Sequence, residues 1–160
     1  MNRLLVTALA LCVLGAGCDD NPAGPSDRPL VFSTILSPGN EVPAVSNAES
    51  TGRGAAQITF GDSTAHFYFQ LTGFPGGTTI TGAHIHPGAA GVNGPVVLST
   101  GIVGSAPVAL NNGFIEFTAS VPADAALVQS IVNNPSGFYF NVHSPVNPGG
   151  FARGQLMRVQ

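Results

Sequence analysis

The sequence contains no lysine and few charged residues of any kind. Asp, Glu, Lys and Arg make up 8% of its 160 residues, whereas an average soluble domain has about 25%. The positive charges are all arginines, and they are scattered along the chain. With a net charge of −3 and no basic patch to neutralise phosphates, we expect no nucleic-acid partner.

Cysteine is nearly absent, and both cysteines lie near the amino end, at Cys12 and Cys18. A short positive stretch precedes an apolar run over 4–16, which is too short for the roughly 20 residues of a membrane-spanning helix. We therefore predict a signal peptide over 1–17. The small residues Ala16 and Gly17 before Cys18 resemble the bacterial lipobox, in which the cysteine is lipidated. The alternative is ordinary secretory cleavage, which would leave Cys18 as a free thiol.

Lipidation of Cys18 would anchor the mature protein to a membrane of the bacterial cell envelope, outside the cytoplasm, in a leaflet that the sequence does not specify. Residues 18–29 contain three prolines and no apolar periodicity, which is typical of a flexible tether. Since Cys12 is removed with the signal peptide, no disulfide is available. We expect the domain over 30–160 to be stabilised by core burial.

The rest of the chain has the composition of an all-β domain. Glycine (21) and proline (13) separate short runs that are rich in Val, Ile, Thr, Phe and Tyr. Such spacing predicts a β-sandwich or barrel of about eight strands. The predicted strands are 30–36, 55–60, 65–71, 78–86, 95–99, 113–120, 138–143 and 152–159. One short helix or helical crossover is predicted over 122–133, beginning at Pro122.

Strand alternation places three histidines away from the core. His84 and His86 point to the same side of their strand while Ile85 points to the other, and His143 lies opposite the apolar face of 138–143. Two imidazoles about 7 Å apart along one strand can converge on one cation. Imidazole suits copper, zinc, nickel or iron, and His143 from a neighbouring strand would supply a third nitrogen.

A structural role for the same histidines is equally consistent with their spacing. Their ring nitrogens could hydrogen-bond backbone carbonyls of the Gly/Pro-rich turns 87–95 and 144–150. His66 has the position of an exposed strand residue. The sequence contains no G-x-S-x-G elbow, no nucleotide-binding glycine pattern and no paired carboxylates, so we predict no catalytic residues.

Three ordered blocks resemble the CHRD domain, a module first described in chordin and common in bacterial exported proteins. The blocks are LSPGNEVP over 36–43, GAHIHPG with GPVV over 82–97, and FYFNVHS with NPGGFARGQL over 138–156. The resemblance implies an immunoglobulin-like or Greek-key β-sandwich and gives no activity.

The same motifs include every residue that we single out for a site. The resemblance therefore favours one shared constellation over several incidental residues. It implies a metal site with His84, His86 and His143 as ligands. Three further residues would support the ligands or guide an anion, namely Glu41, Asn141 and Arg153. Glu41 would tie down a loop or pair with Arg153.

A more distant similarity in layout connects the chain with copper/zinc superoxide dismutases. These enzymes also present a His-x-His pair, a later histidine and an arginine that guides the anion, in the order of His84, His86, His143 and Arg153. The chain has no counterpart of their bridging histidine, zinc cluster or disulfide.

The expected function is that of a lipid-anchored, extracytoplasmic CHRD binding module. Its partner would be an unidentified protein or polymer, and its three-histidine site would hold copper or zinc. Two alternatives remain open at this point. One is a copper-dependent, superoxide dismutase-like redox or metal-handling enzyme, and the other is a purely structural envelope protein.

Overall fold

A computed structural model describes residues 28–160. The predicted signal peptide over 1–17, the predicted lipidation site Cys18 and all but the end of the predicted tether lie outside the described residues. In the part of the chain that is described, no helix has the length and apolar character needed to cross a membrane.

The described residues form eleven strands and one α-helix, joined by loops and three short 3-10 turns. In chain order the elements are β1 (Leu30–Leu36), β2 (Arg53–Gly61), β3 (Thr64–Thr72), β4 (Thr79–Ile80), β5 (Gly82–Pro87), β6 (Leu98–Ser99), β7 (Val108–Ala109), β8 (Ile115–Pro122), α1 (Ala125–Asn133), β9 (Phe138–His143), β10 (Ala152–Gln155) and β11 (Met157–Arg158).

Two antiparallel sheets face each other across one apolar core. One has the strand order β11-β1-β2-β3-β8, and the other has the order β10-β9-β5-β6. The ring centroids of Phe67 and Phe69 on β3 lie 5.8 and 5.6 Å from that of Phe140 on β9. These contacts join the two sheets, and they confirm the prediction of an all-β sandwich with one short helix.

The predicted strand over 78–86 is divided into two strands in the structure. The division shows in its buried residues, which do not alternate. Ile80 and Ala83 are both fully buried, yet residues three apart point to opposite faces of one strand. The chain bends between them, so β4 pairs with β7 while β5 joins the four-stranded sheet. The predicted strand over 152–159 is likewise divided, since β10 and β11 belong to different sheets on either side of buried Leu156.

The helix begins three residues later than predicted. Pro122 ends β8, and Asp124 is the N-cap because its Oδ1 accepts hydrogen bonds from the backbone N–H groups of Ala126 (2.9 Å) and Leu127 (3.1 Å). The carboxylate satisfies two of the donors that a helix start leaves free. Our placement of the start at Pro122 was therefore wrong, whereas the predicted end at Asn133 is correct.

The face of the four-stranded sheet that points away from the core is called the outer face here. Antiparallel pairing of β5 with β9 puts Gly82 opposite His143, His84 opposite Asn141, and His86 opposite Tyr139. Although this face points away from the core, loops cover it, and Asn141 is only 2% exposed. The sandwich therefore has a second, polar interior between this sheet and its loops.

The backbones of the two sheets meet where β10 passes β1, since Ser37 and Arg153 are hydrogen-bonded there, and we expect this packing to depend on Gly154. A methyl group added at Gly154 would lie 2.1 Å from Thr34 Oγ1 and 2.2 Å from the Ile35 carbonyl oxygen. Gly154→Ala should lower the free energy of unfolding by about 1–3 kcal/mol in a urea titration. Gly61→Ala is the control, because nothing lies within 4 Å of its added methyl group. Equal effects of the two substitutions would contradict this account.

Candidate metal centre

The rings of three histidines meet on the outer face. Ring centroids of His84 and His143 lie 4.9 Å apart, those of His84 and His86 5.7 Å, and those of His86 and His143 5.9 Å. One ring nitrogen from each residue lies within 4.8 Å of the others. Such nitrogens are at most about 2.8 Å from a common centre, so small ring movements would reach the bond length of about 2.0–2.1 Å for a metal.

Loop carbonyls determine which nitrogen of two rings is free. His86 Nδ1 lies 2.9 Å from the Gly94 carbonyl oxygen, and His143 Nδ1 lies 3.0 Å from that of Pro148. A carbonyl only accepts, so Nδ1 donates its proton in both rings and Nε2 keeps a lone pair. Metal binding and loop pinning, the two interpretations left open by the sequence, are therefore compatible for His86 and His143. In each of these rings Nδ1 holds a loop, and Nε2 is left without a partner.

One ring nitrogen of each histidine in the cluster has no partner. His84 Nδ1, His86 Nε2 and His143 Nε2 are buried and form no hydrogen bond with the described residues. Burial, followed by the neighbouring His143 and His86, lowers the pKa of His84 from 6.5 to about 4. Burial also lowers the pKa values of His86 and His143. At neutral pH the three imidazoles are uncharged, which is the form that binds metals.

Glycine at position 82 makes room for the His84 ring, with His143 next to it. A methyl group there would lie 2.6 Å from His84 Cε1 and 3.5 Å from His143 Cδ2. His66 is not part of the cluster, because it lies on the exposed face of β3 with Nδ1 2.8 Å from Ser120 Oγ. This agrees with its interpretation as an exposed strand residue.

Tyr139 supports His86, and the sequence analysis did not select it. Its ring stacks on that of His86 with a centroid distance of 4.9 Å and an interplanar angle of 4°. Its hydroxyl accepts a hydrogen bond from Gly94 N (3.1 Å), next to the carbonyl that holds the His86 ring. Tyr139 lies four residues before His143 on the same strand, so alternation puts both on one face. This shared face is the signal in the sequence that could identify Tyr139.

Arg153 is 1% exposed and holds a loop. Its guanidinium lies 3.4 Å from the centroid of the Tyr139 ring, on which it makes a cation–π contact. It donates hydrogen bonds to the carbonyls of Ala89 (3.1 Å) and Val92 (2.8 Å) and to Asn93 Oδ1 (2.9 Å). These contacts direct its donors at the protein and hold the loop over 89–93.

Two buried carboxyl groups flank the cluster. Glu41 is 6% exposed, and burial raises its pKa from 4.5 to about 7, against the opposing effects of Arg153 and Asn141. Glu49, which the sequence analysis did not select, accepts hydrogen bonds from Ser144 Oγ (2.7 Å) and Asn147 Nδ2 (2.5 Å). It thereby anchors the loop that carries the Pro148 carbonyl.

The fold and site together define an all-β sandwich with a histidine cluster under the loops of its outer face. The model of the CHRD domain family matches residues 32–156. The chain therefore belongs to the CHRD domain family, as its three sequence blocks predicted. No curated protein matches the chain.

The raised pKa of Glu41 predicts a specific pH dependence of stability. Between about pH 4.5 and 7 the folded protein binds a proton at Glu41 that the unfolded chain releases, so this contribution to stability is lost as the pH rises. Relative to Glu41→Gln, the metal-free wild type should lose roughly 3 kcal/mol of unfolding free energy across this range.

Urea unfolding of the two proteins at a series of pH values, with a chelator present, measures this difference. The histidines titrate in both proteins, so their contributions cancel in the comparison. A difference that does not change with pH would show that Glu41 is ionised in the folded protein at low pH.

Proposed function

We propose that this CHRD domain binds a transition-metal ion through His84, His86 and His143. The observation that carries the proposal concerns buried side-chain polar atoms without a hydrogen-bond partner. Among the described residues there are five, and three of them are ring nitrogens of the clustered His84, His86 and His143. The other two belong to Glu41 and Asn141, beside the same cluster.

A bound ion would remove an energetic cost that the protein otherwise bears. Each buried acceptor without a partner destabilises a fold by about 1–3 kcal/mol, so unpartnered groups are rare in native proteins. The lone pairs of His86 Nε2 and His143 Nε2 cannot satisfy each other, because each ring carries its proton on Nδ1, and neither nitrogen forms a hydrogen bond with His84. A metal cation would accept these two lone pairs together with one from His84.

The ligand set favours copper(II) or zinc(II). Imidazole nitrogens suit both ions, and at a given nitrogen site copper(II) binds more tightly than zinc(II). The hydrogen bonds to the Gly94 and Pro148 carbonyls hold two of the rings in the tautomer that such an ion needs.

The metal-binding domain would work outside the cytoplasm as a lipid-anchored binding module. Support for this location comes from the apolar run over 4–16, the lipobox-like Ala16-Gly17-Cys18 and the proline-containing tether over 18–29. A tether of that composition would let the domain reach a protein or polymer partner near the membrane.

The contacts of Arg153 favour binding over redox turnover. In the alternative of a copper-dependent enzyme, this arginine would guide an anion to an open position on the metal. Its guanidinium instead stacks on Tyr139 and donates to the loop over 89–93. We therefore propose that the site holds its ion and does not turn over an anionic substrate.

Removing a ligand should abolish stoichiometric binding of copper(II) or zinc(II). His84→Ala and His143→Ala should each weaken the affinity of the full-length protein in detergent by about 100-fold or more. Isothermal titration calorimetry without an affinity histidine tag measures this directly.

His66→Ala is the matched control, because it removes an imidazole from the exposed face of β3. It should bind like the wild type. Equal losses in all three variants would remove the assignment of the ligands, and no binding by the wild type would overturn the proposal.

Lipidation predicts that Cys18→Ser releases the protein from membranes. Serine provides no thiol for the lipid, so the substituted protein should appear in the soluble extracytoplasmic fraction, as shown by fractionation and immunoblotting. Membrane retention of the Cys18→Ser protein at the wild-type level would refute the anchor without affecting the metal site.

A further inference from the structure

The geometry points to Asn141 as the fourth ligand, with its side-chain amide oxygen Oδ1 binding the same ion as the three histidines. This inference rests on the proposed metal site and adds a donor of a different chemical type to it. It assigns to Asn141 a direct contact with the metal, where the sequence predicted a supporting role.

The backbone places Asn141 in the middle of the cluster. It lies directly opposite His84 in the pairing of β5 with β9, two residues before His143 on the same face. The residue is 2% exposed, and its Oδ1 is buried without a hydrogen-bond partner. An unpartnered amide oxygen is thus enclosed with three unpartnered ring nitrogens.

The amide nitrogen of Asn141 shows which way the group is turned. Nδ2 donates a hydrogen bond to the Gly149 carbonyl oxygen (3.3 Å). Glu41 Oε1 lies on the same side, since a methyl group added at Gly150 would be 2.5 Å from both Nδ2 and this carboxyl oxygen. Because the Gly149 carbonyl accepts from Nδ2, turning the amide over would set oxygen against oxygen. Oδ1 is therefore held away from this carbonyl.

His86 and Asn141 both offer buried lone pairs without a partner. The Nδ1 proton of His86 is engaged by Gly94, so Nε2 offers one lone pair, and Oδ1 of Asn141 offers another. A cation bound between the two strands would accept both.

Three nitrogens and one oxygen form a closed ligand set. Sites with four protein ligands hold an ion, whereas catalytic sites leave a position for water or substrate. An amide oxygen is also a hard donor, which favours divalent ions over copper(I). The fourth ligand thus gives the binding module a preference for zinc(II) or copper(II).

Cobalt(II) is a suitable probe, because its visible absorption reports the number and type of ligands. The experiment titrates Co²⁺ alone into the full-length protein in detergent and compares the wild type with Asn141→Ala, Asn141→Asp and His84→Ala. Asn133→Ala is the matched control, since Asn133 lies at the exposed end of α1.

We expect Asn141→Ala to weaken Co²⁺ binding by about 100-fold or more and to change its spectrum as water replaces the amide. Asn141→Asp should retain the affinity within tenfold, while its spectrum shifts because a carboxylate replaces the amide oxygen. Asn133→Ala should match the wild type in both readouts.

Wild-type affinity and spectrum in Asn141→Ala, together with loss of binding in His84→Ala, would overturn the fourth ligand and leave the three-histidine site standing. Absence of binding by the wild type would overturn both. If circular dichroism shows that Asn141→Ala does not fold, Asn141→Asp decides, because an unchanged spectrum in that variant also overturns the inference.

Discussion

The antiparallel pairing of β5 with β9 is the interaction on which the candidate site depends. Its register puts His84 opposite Asn141 and Gly82 opposite His143, so four potential ligands share one face without help from any long-range loop. On the opposite face the same two strands present Ile85 and Phe140 to the core. A slip of one residue would exchange these faces, burying imidazoles among phenylalanines. The hydrophobic core therefore specifies the position of the polar cluster.

The loops over this face supply what the strands cannot, namely the orientation of the rings. Carbonyls of Gly94 and Pro148 hold two imidazoles, and each loop is itself held by a buried polar side chain, Arg153 for one and Glu49 for the other. Burying a polar group is costly unless hydrogen bonds compensate it, and Arg153 forms four such bonds while Glu49 forms two. A chain with so few charged residues thus places some of them where they fix loop geometry, which explains why Arg153 is buried and not exposed.

Period-two alternation explains how much of this could be predicted from the sequence. It correctly assigned the faces of β3, β5 and β9, and therefore the separation of His66 from the other histidines. It could not predict that Ile80 and Ala83 are both buried. The chain bends between them and changes its strand partner, and alternation within one strand does not reveal such a bend. Nor could it identify the free nitrogens of His86 and His143, since these depend on the conformation of the loops that carry the Gly94 and Pro148 carbonyls. Tyr139 was missed because its stacking on His86 depends on the register of β5 with β9, which alternation alone does not give.

Differences in burial within the cluster indicate how an ion would enter and leave. His86 is 5% exposed and is covered by the Tyr139 ring, while His84 and His143 are partly exposed. Solvent thus reaches the cluster from the side of these two residues. The Nδ1 atom of His84 has no loop carbonyl to fix it, so this ring is the least constrained of the three. In the proposed site, an ion would accordingly meet its least constrained ligand at His84.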